Sequence, residues 1–110
     1  MSELTKKSCQ PCRKGAAALK GEAIIGLLRQ LADWEVVNEH HLSKEFRFPD
    51  FVTALAFLNK VGEIAEHEGH HPDLHLSWGR VAVEIWTHKV GGLTESDFVL
   101  AAKIDELPAS

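Results

Sequence analysis

Hydrophobic and polar positions change period several times along the chain, and each change marks an element. Ala23, Ile24, Leu27, Leu28 and Leu31 recur at helical spacing, which predicts a short amphipathic helix over residues 22–32. Asp33-Trp34 breaks it, Glu35-Val36-Val37 reads as a short strand, and Asn38-Glu39 supplies a polar turn. From His41 to Phe48 the period is two, with Leu42, Lys44, Phe46 and Phe48 on one face and Ser43, Glu45 and Arg47 on the other. These two segments make a first hairpin.

Pro49-Asp50 opens a long helix, because a proline in the first turn gives up an N–H that would have no helical partner. Phe51, Leu55, Leu58, Val61, Ile64 and Ala65 are expected to line its buried side, and Gly69 and Pro72 end it near Glu68. Leu74, Leu76 and Trp78 then alternate with His75 and Ser77, Gly79-Arg80 turns the chain, and Val81, Val83 and Ile85 alternate with Ala82, Glu84, Trp86 and His88. That is a second hairpin. After Gly91-Gly92, the run Thr94 to Asp97 has the form of a capping box and predicts a last helix to about Leu107, with Asp97 as a cap rather than a catalytic acid. The order α-β-β-α-β-β-α predicts an α+β fold, a four-stranded antiparallel sheet with helices packed on one face.

Length and charge narrow the class. A chain of 110 residues with 45% hydrophobic and 25% charged side chains has the balance of one globular domain. The net charge of −4 argues against nucleic acid as the main partner, and no apolar run approaches the ~20 residues of a membrane span. No apolar stretch follows the basic N-terminal residues, so a cytoplasmic location is expected. Residues 1–20 carry five Lys/Arg against one Glu and read as a flexible basic leader, leaving 21–110 as the folded domain. Cys9 and Cys12 in that leader supply at most half of a zinc site and read as reduced thiols.

Histidine placement carries the chemistry. Of seven histidines, His67, His70 and His71 cluster at the predicted end of the long helix, and His88 falls at the end of the last strand. Imidazole, with an ordinary pKa of about 6.5, gives or takes a proton near neutrality. Adjacent imidazoles resist charging together, so one can act as acid while another acts as base, as an elimination of water requires. Glu66 lies four residues before His70, at the spacing that would orient its imidazole along a helix face. His40, His41 and His75 read as surface or edge residues, His67 as an outward polar residue and Trp86 as packing. His67-Glu68-Gly69-His70-His71 also fits H-E-x-x-H, but Gly69 and Pro72 interrupt the helix that such a zinc motif needs.

Glu66-x-x-x-His70-His71-Pro72, five residues, Trp78, nine residues, His88, eight residues and Asp97 closely resembles the signature of the pterin-4a-carbinolamine dehydratases. The resemblance covers roughly residues 21–107. It implies dehydration of 4a-hydroxytetrahydrobiopterin to quinonoid dihydrobiopterin, recycling the pterin of aromatic amino acid hydroxylases, with no metal or organic cofactor. It places His70, His71 and His88 on the family's active-site histidines, and Glu66, His70, His71, Pro72, Thr87 and His88 on its pterin-binding segments. It also implies a homo-dimer or tetramer and a functional link to phenylalanine hydroxylase. Gly69 stands where an acidic residue often occurs, and Lys89-Val90 where a Glu-Cys pair is common. A non-catalytic protein-binding or assembly module on the same fold is the rival reading, and retention of all three histidines favours the enzyme.

Overall fold

The computed structural model describes residues 3–7 and 17–107, so the Cys9–Cys12 pair lies outside the described residues. Its elements are α1 (Gly21–Leu28), β1 (Glu35–Val37), β2 (His41–Arg47), α2 (Phe51–Glu68), β3 (Asp73–Ser77), β4 (Arg80–Ile85) and α3 (Glu95–Asp105). The sequence order α-β-β-α-β-β-α is therefore the observed one. All strand pairs are antiparallel and the sheet order is β1-β2-β4-β3, so the two hairpins meet through β2 and β4.

Alternation decides which sheet face is covered. Leu42 and Phe46 of β2 and Val81, Val83 and Ile85 of β4 are buried, and they share one core with Phe57 and Val61 of α2 and Phe98 and Leu100 of α3. Their strand neighbours Ser43, Glu45, Ala82 and Glu84 face away. Gly79 closes the β3–β4 hairpin with φ 68°, and a Cβ there would sit 2.9 Å from the Phe48 carbonyl oxygen. Glycine is needed for both reasons.

Three expectations change. The buried stripe of α2 is Ala54, Phe57, Val61 and Ala65, whereas Phe51 and Leu55 are exposed along with Val52. Phe57 decides the phase, because its ring packs on Phe46 at 4.7 Å and Phe48 at 5.0 Å between centroids. α1 stops at Leu28 instead of residue 32. The following residues are held by Asp105 of α3, whose carboxylate accepts from Ala32 N–H at 3.2 Å, Trp34 Nε1 at 2.9 Å and Lys44 Nζ at 2.8 Å. That network also explains a lysine on the inward face of β2.

The third change is at the N-terminus. Residues 3–7 are not a free leader: Glu3–Lys6 form a 3-10 turn whose Leu4 is buried in the main core. Lys103 Nζ donates to the Thr5 carbonyl at 3.2 Å and Lys7 pairs with Glu95 at 3.1 Å. Burying one leucine contributes about 1.5–3 kcal/mol toward docking the segment, and these two polar contacts add to it.

Candidate active site

The site begins with the way α2 ends. Gly69 adopts the left-handed conformation at φ 68°, and the backbone N–H groups of Gly69 and His70 both turn back to Ala65 O. This C-cap stops the helix and swings His70 off the face that carries Glu66. Pro72 then leads into β3.

His70 points at the start of α3. Its Nε2 lies 2.5 Å from Asp97 Oδ1, and Asp97 is completely buried. The other carboxylate oxygen accepts from Thr94 N–H at 2.8 Å and from the Thr87 hydroxyl at 2.9 Å. Thr87 and Thr94 hydroxyls are 2.9 Å apart. Thr87 has one hydroxyl proton and gives it to Asp97, so Thr94 donates to Thr87. A buried carboxylate that accepts three hydrogen bonds is satisfied and geometrically fixed.

Asp97 is therefore the cap that its position in the sequence indicates, and also the partner of His70. The capping role uses Oδ2, leaving Oδ1 for the imidazole. Local sequence reasoning finds only the first role. The second depends on the strand end β4 and the helix end α2 converging on the start of α3.

Glu66 pairs with His71, not with His70: His71 Nε2 lies 2.5 Å from Glu66 Oε2, and both side chains are exposed. The expected i, i+4 pairing fails because Gly69 ends the helix between them. Thr87, placed among the substrate-binding residues by the family resemblance, is buried with its hydroxyl committed to Asp97 and Thr94. His88 follows it in an exposed turn closed by Thr87 N–H donating to Gly92 O at 2.8 Å. Asp97 thus links His70 to Thr87, the residue before His88.

His88 stacks on Trp86 with centroids 4.4 Å apart and an 18° interplanar angle. The same indole meets His40 at 5.3 Å and His41 at 5.9 Å, and the Nδ1 atoms of those two histidines are 3.0 Å apart. His40 and His41, read from the sequence as edge residues, therefore share the surroundings of His88. His88 and the His70–His71 pair are connected through the β4 end, by way of Thr87 and Asp97. His67 is exposed on the last turn of α2, and among the described residues no three His, Cys, Asp or Glu side chains converge as a metal-binding set.

The arrangement offers a fixed imidazole and two exposed ones at adjoining chain reversals, above a scaffold of α2, β4 and α3. Comparison with known proteins places it. The family model described as Pterin 4 alpha carbinolamine dehydratase matches residues 17–107. A Rubrobacter xylanophilus protein provisionally named a pterin-4-alpha-carbinolamine dehydratase is 57% identical over 107 residues, covering 97% of this chain and all of that one. Pterin-4-alpha-carbinolamine dehydratase 2, mitochondrial, of Arabidopsis thaliana is 46% identical over 97% of this chain and 60% of its own length. The crystal structure of a transcriptional coactivator/pterin dehydratase from Brucella melitensis superposes with a TM-score of 0.75 at 33% identity, covering 79% of this chain and 94% of that one. By sequence and by fold, the chain belongs to the pterin-4-alpha-carbinolamine dehydratase family.

Proposed function

We propose that this protein dehydrates 4a-hydroxytetrahydrobiopterin, or a closely related pterin carbinolamine, to the quinonoid dihydropterin. The observation that carries the reading is the hydrogen-bonded unit His70–Asp97–Thr87, which fixes one imidazole and ends beside a second at His88. Elimination needs a proton delivered to the departing 4a-hydroxyl and a proton removed from the neighbouring ring N–H. His70 and His88 perform these transfers. His71, held by Glu66, positions the pterin ring with Pro72, and water is the only other product. The reaction needs no resident metal or organic cofactor, because both steps are proton transfers.

The physiological setting follows from the product. Quinonoid dihydropterin is the form a reductase returns to the tetrahydro state, so the enzyme acts after an aromatic amino acid hydroxylase, with phenylalanine hydroxylase as the reference case. A cytoplasmic location suits that role, and among the described residues no helix is long and apolar enough to cross a membrane. Assembly into a homo-dimer or tetramer is supported by the exposed apolar residues Phe51, Val52 and Leu55 along α2 and by the edge position of β3 in the sheet.

The test is the dehydration rate of wild type and of His70→Ala, His71→Ala and His88→Ala. General acid–base roles predict losses of about 10²–10⁴-fold in kcat for His70→Ala and His88→Ala. His71→Ala should mainly raise KM. Three unchanged variants would remove the scheme. A wild type no faster than buffer would favour a protein-binding role, in line with the coactivator function ascribed to the Brucella melitensis protein.

A further inference from the structure

Two adjacent glycines end the turn that carries His88, and they are glycine for different reasons. Gly91 has φ 64°, and nothing among the described residues lies within 4 Å of its Cβ position, so backbone conformation requires it. Gly92 is buried and is not in the left-handed region. A Cβ there would lie 2.8 Å from Ala18 Cβ and 3.9 Å from the Glu39 carbonyl oxygen. Carbon atoms in ordinary contact are about 3.5–4.0 Å apart, so Gly92 is required by what lies against it.

What lies against it is the chain leading into α1. Leu19 N–H donates to Leu93 O at 2.8 Å, and Gly21 N–H donates to Glu39 Oε2 at 3.0 Å. Leu19 packs on the core, and Leu93 is fully buried. Ala18 therefore cannot draw back from Gly92 without straining the hydrogen bond one residue on. Glu39 sits in the β1–β2 turn, where it and Asn38 both have φ 54° and His40 N–H closes the turn on Val37 O at 2.8 Å. The next residue, His40, meets Trp86, the indole on which His88 is stacked. Residues 18–21 thus reach His88 from two directions, through Gly92 at the end of its turn and through Glu39, His40 and Trp86 beside its ring.

We infer that residues 18–21 brace the turn of residues 88–91, and that the packing of Ala18 on Gly92 sets where the His88 imidazole stands. The consequence for catalysis rests on the proposed function. Ala18, Leu19, Glu39 and Gly92 act through His88 and are positioning residues. Short-range bonds close the turn, with Val90 N–H donating to Thr87 O and Gly91 N–H to His88 O, both at 3.2 Å. Such bonds fix its shape but not its placement over the sheet, which the contact with Ala18 supplies. A methyl group at Gly92 must push the two segments apart by about 1 Å. A displacement of that size in a positioned group costs about 10²-fold in rate.

Exchanging space between the two residues tests the brace. Gly92→Ala adds the methyl and Ala18→Gly removes its obstacle, each made singly and together in the full chain. Two quantities are read: kcat for pterin carbinolamine dehydration, and the ¹H–¹³C spectrum of histidine-labelled protein. The ring protons of His88, assigned by their loss in His88→Ala, are moved upfield by the stacked indole. Gly92→Ala should return these signals toward those of a free histidine and lower kcat about 10²-fold. Adding Ala18→Gly should restore both. Signals and kcat unchanged by Gly92→Ala would show a segment that merely yields, and would overturn the brace. A double variant no better than Gly92→Ala would overturn it too. Leu19→Gly unpins the segment without altering the turn, and decides the matter should Gly92→Ala not fold: displaced His88 signals support the brace and unmoved ones overturn it. Moved signals with unchanged kcat overturn the catalytic consequence. An inactive wild type whose His88 signals follow the predicted pattern would refute the proposed function and leave the brace standing.

Discussion

Replacing Phe57 by Ala is the sharpest test of how α2 sits on the sheet. The ring is buried and packs on Phe46 and Phe48 at 4.7 and 5.0 Å between centroids, so its removal strips contacts from two further core side chains. Deleting a buried phenylalanine costs about 3–5 kcal/mol, a large share of the roughly 5–15 kcal/mol typical of a domain. At about 4 °C per kcal/mol that is a fall in Tm of roughly 12–20 °C. Val52, 74% exposed on the opposite side, provides the control: in protein dilute enough to be dissociated, Val52→Ala should change stability by no more than about 0.5 kcal/mol. Urea unfolding followed by circular dichroism at two protein concentrations measures both. A concentration-dependent loss confined to Val52→Ala would reveal self-association through the outer stripe, because only an assembled protein links stability to concentration. A loss below about 1 kcal/mol for Phe57→Ala, or an equal loss for Phe51→Ala in the dissociated protein, would refute the helix phase described above.

Other expectations concern the supports of the fold. Asp105→Ala removes the acceptor of Trp34 Nε1 and the ion-pair partner of the largely buried Lys44, so it should cost about 3–5 kcal/mol in urea unfolding. Leu4→Ala should lower stability by about 2–4 kcal/mol, and no change would show that residues 3–7 do not dock. Asp50 caps α2, and hydrogen bonds from the Thr53 hydroxyl and backbone N–H hold its carboxyl below the ordinary 3.8. A lowered folded pKa stabilises the protein above the unfolded value, and that stability is lost as pH falls through the folded one. Asp50→Ala should therefore melt below wild type at pH 7, with the gap narrowing once the pH drops beneath 3.8; a gap independent of pH would count against the cap.

Element order is legible in the sequence because each element declares its period. Val81, Val83 and Ile85 alternate cleanly, and Gly79 and Gly69 mark the reversals they occupy. The phase of α2 is not legible. The helix carries apolar residues on two sides, Phe51 and Leu55 on one and Ala54 and Phe57 on the other, and periodicity cannot rank two apolar stripes. Only the aromatic partners on β2 and the residue after it settle the choice. Leu4 is hidden for a different reason, since one apolar residue in a polar stretch has no period.

At the site, spacing and family resemblance point to the histidine positions but not to their partners. Glu66 is four residues from His70 but pairs with His71, because one left-handed glycine rotates the chain between them. Asp97 is correctly legible as a helix cap. Its second oxygen acquires meaning only when α2 and α3 are packed together, a relation across 27 residues that local patterns do not encode. The proximity of His40 and His41 to His88 through Trp86 is likewise a product of sheet register.

The most direct measurement is the dehydration of freshly generated 4a-hydroxytetrahydrobiopterin by the wild-type protein, followed by stopped-flow absorbance against a protein-free control. Acid–base catalysis by His70 and His88 predicts acceleration well above the spontaneous rate, saturating with substrate and undiminished by a metal chelator. A rate equal to that of buffer alone, from folded protein, would contradict it.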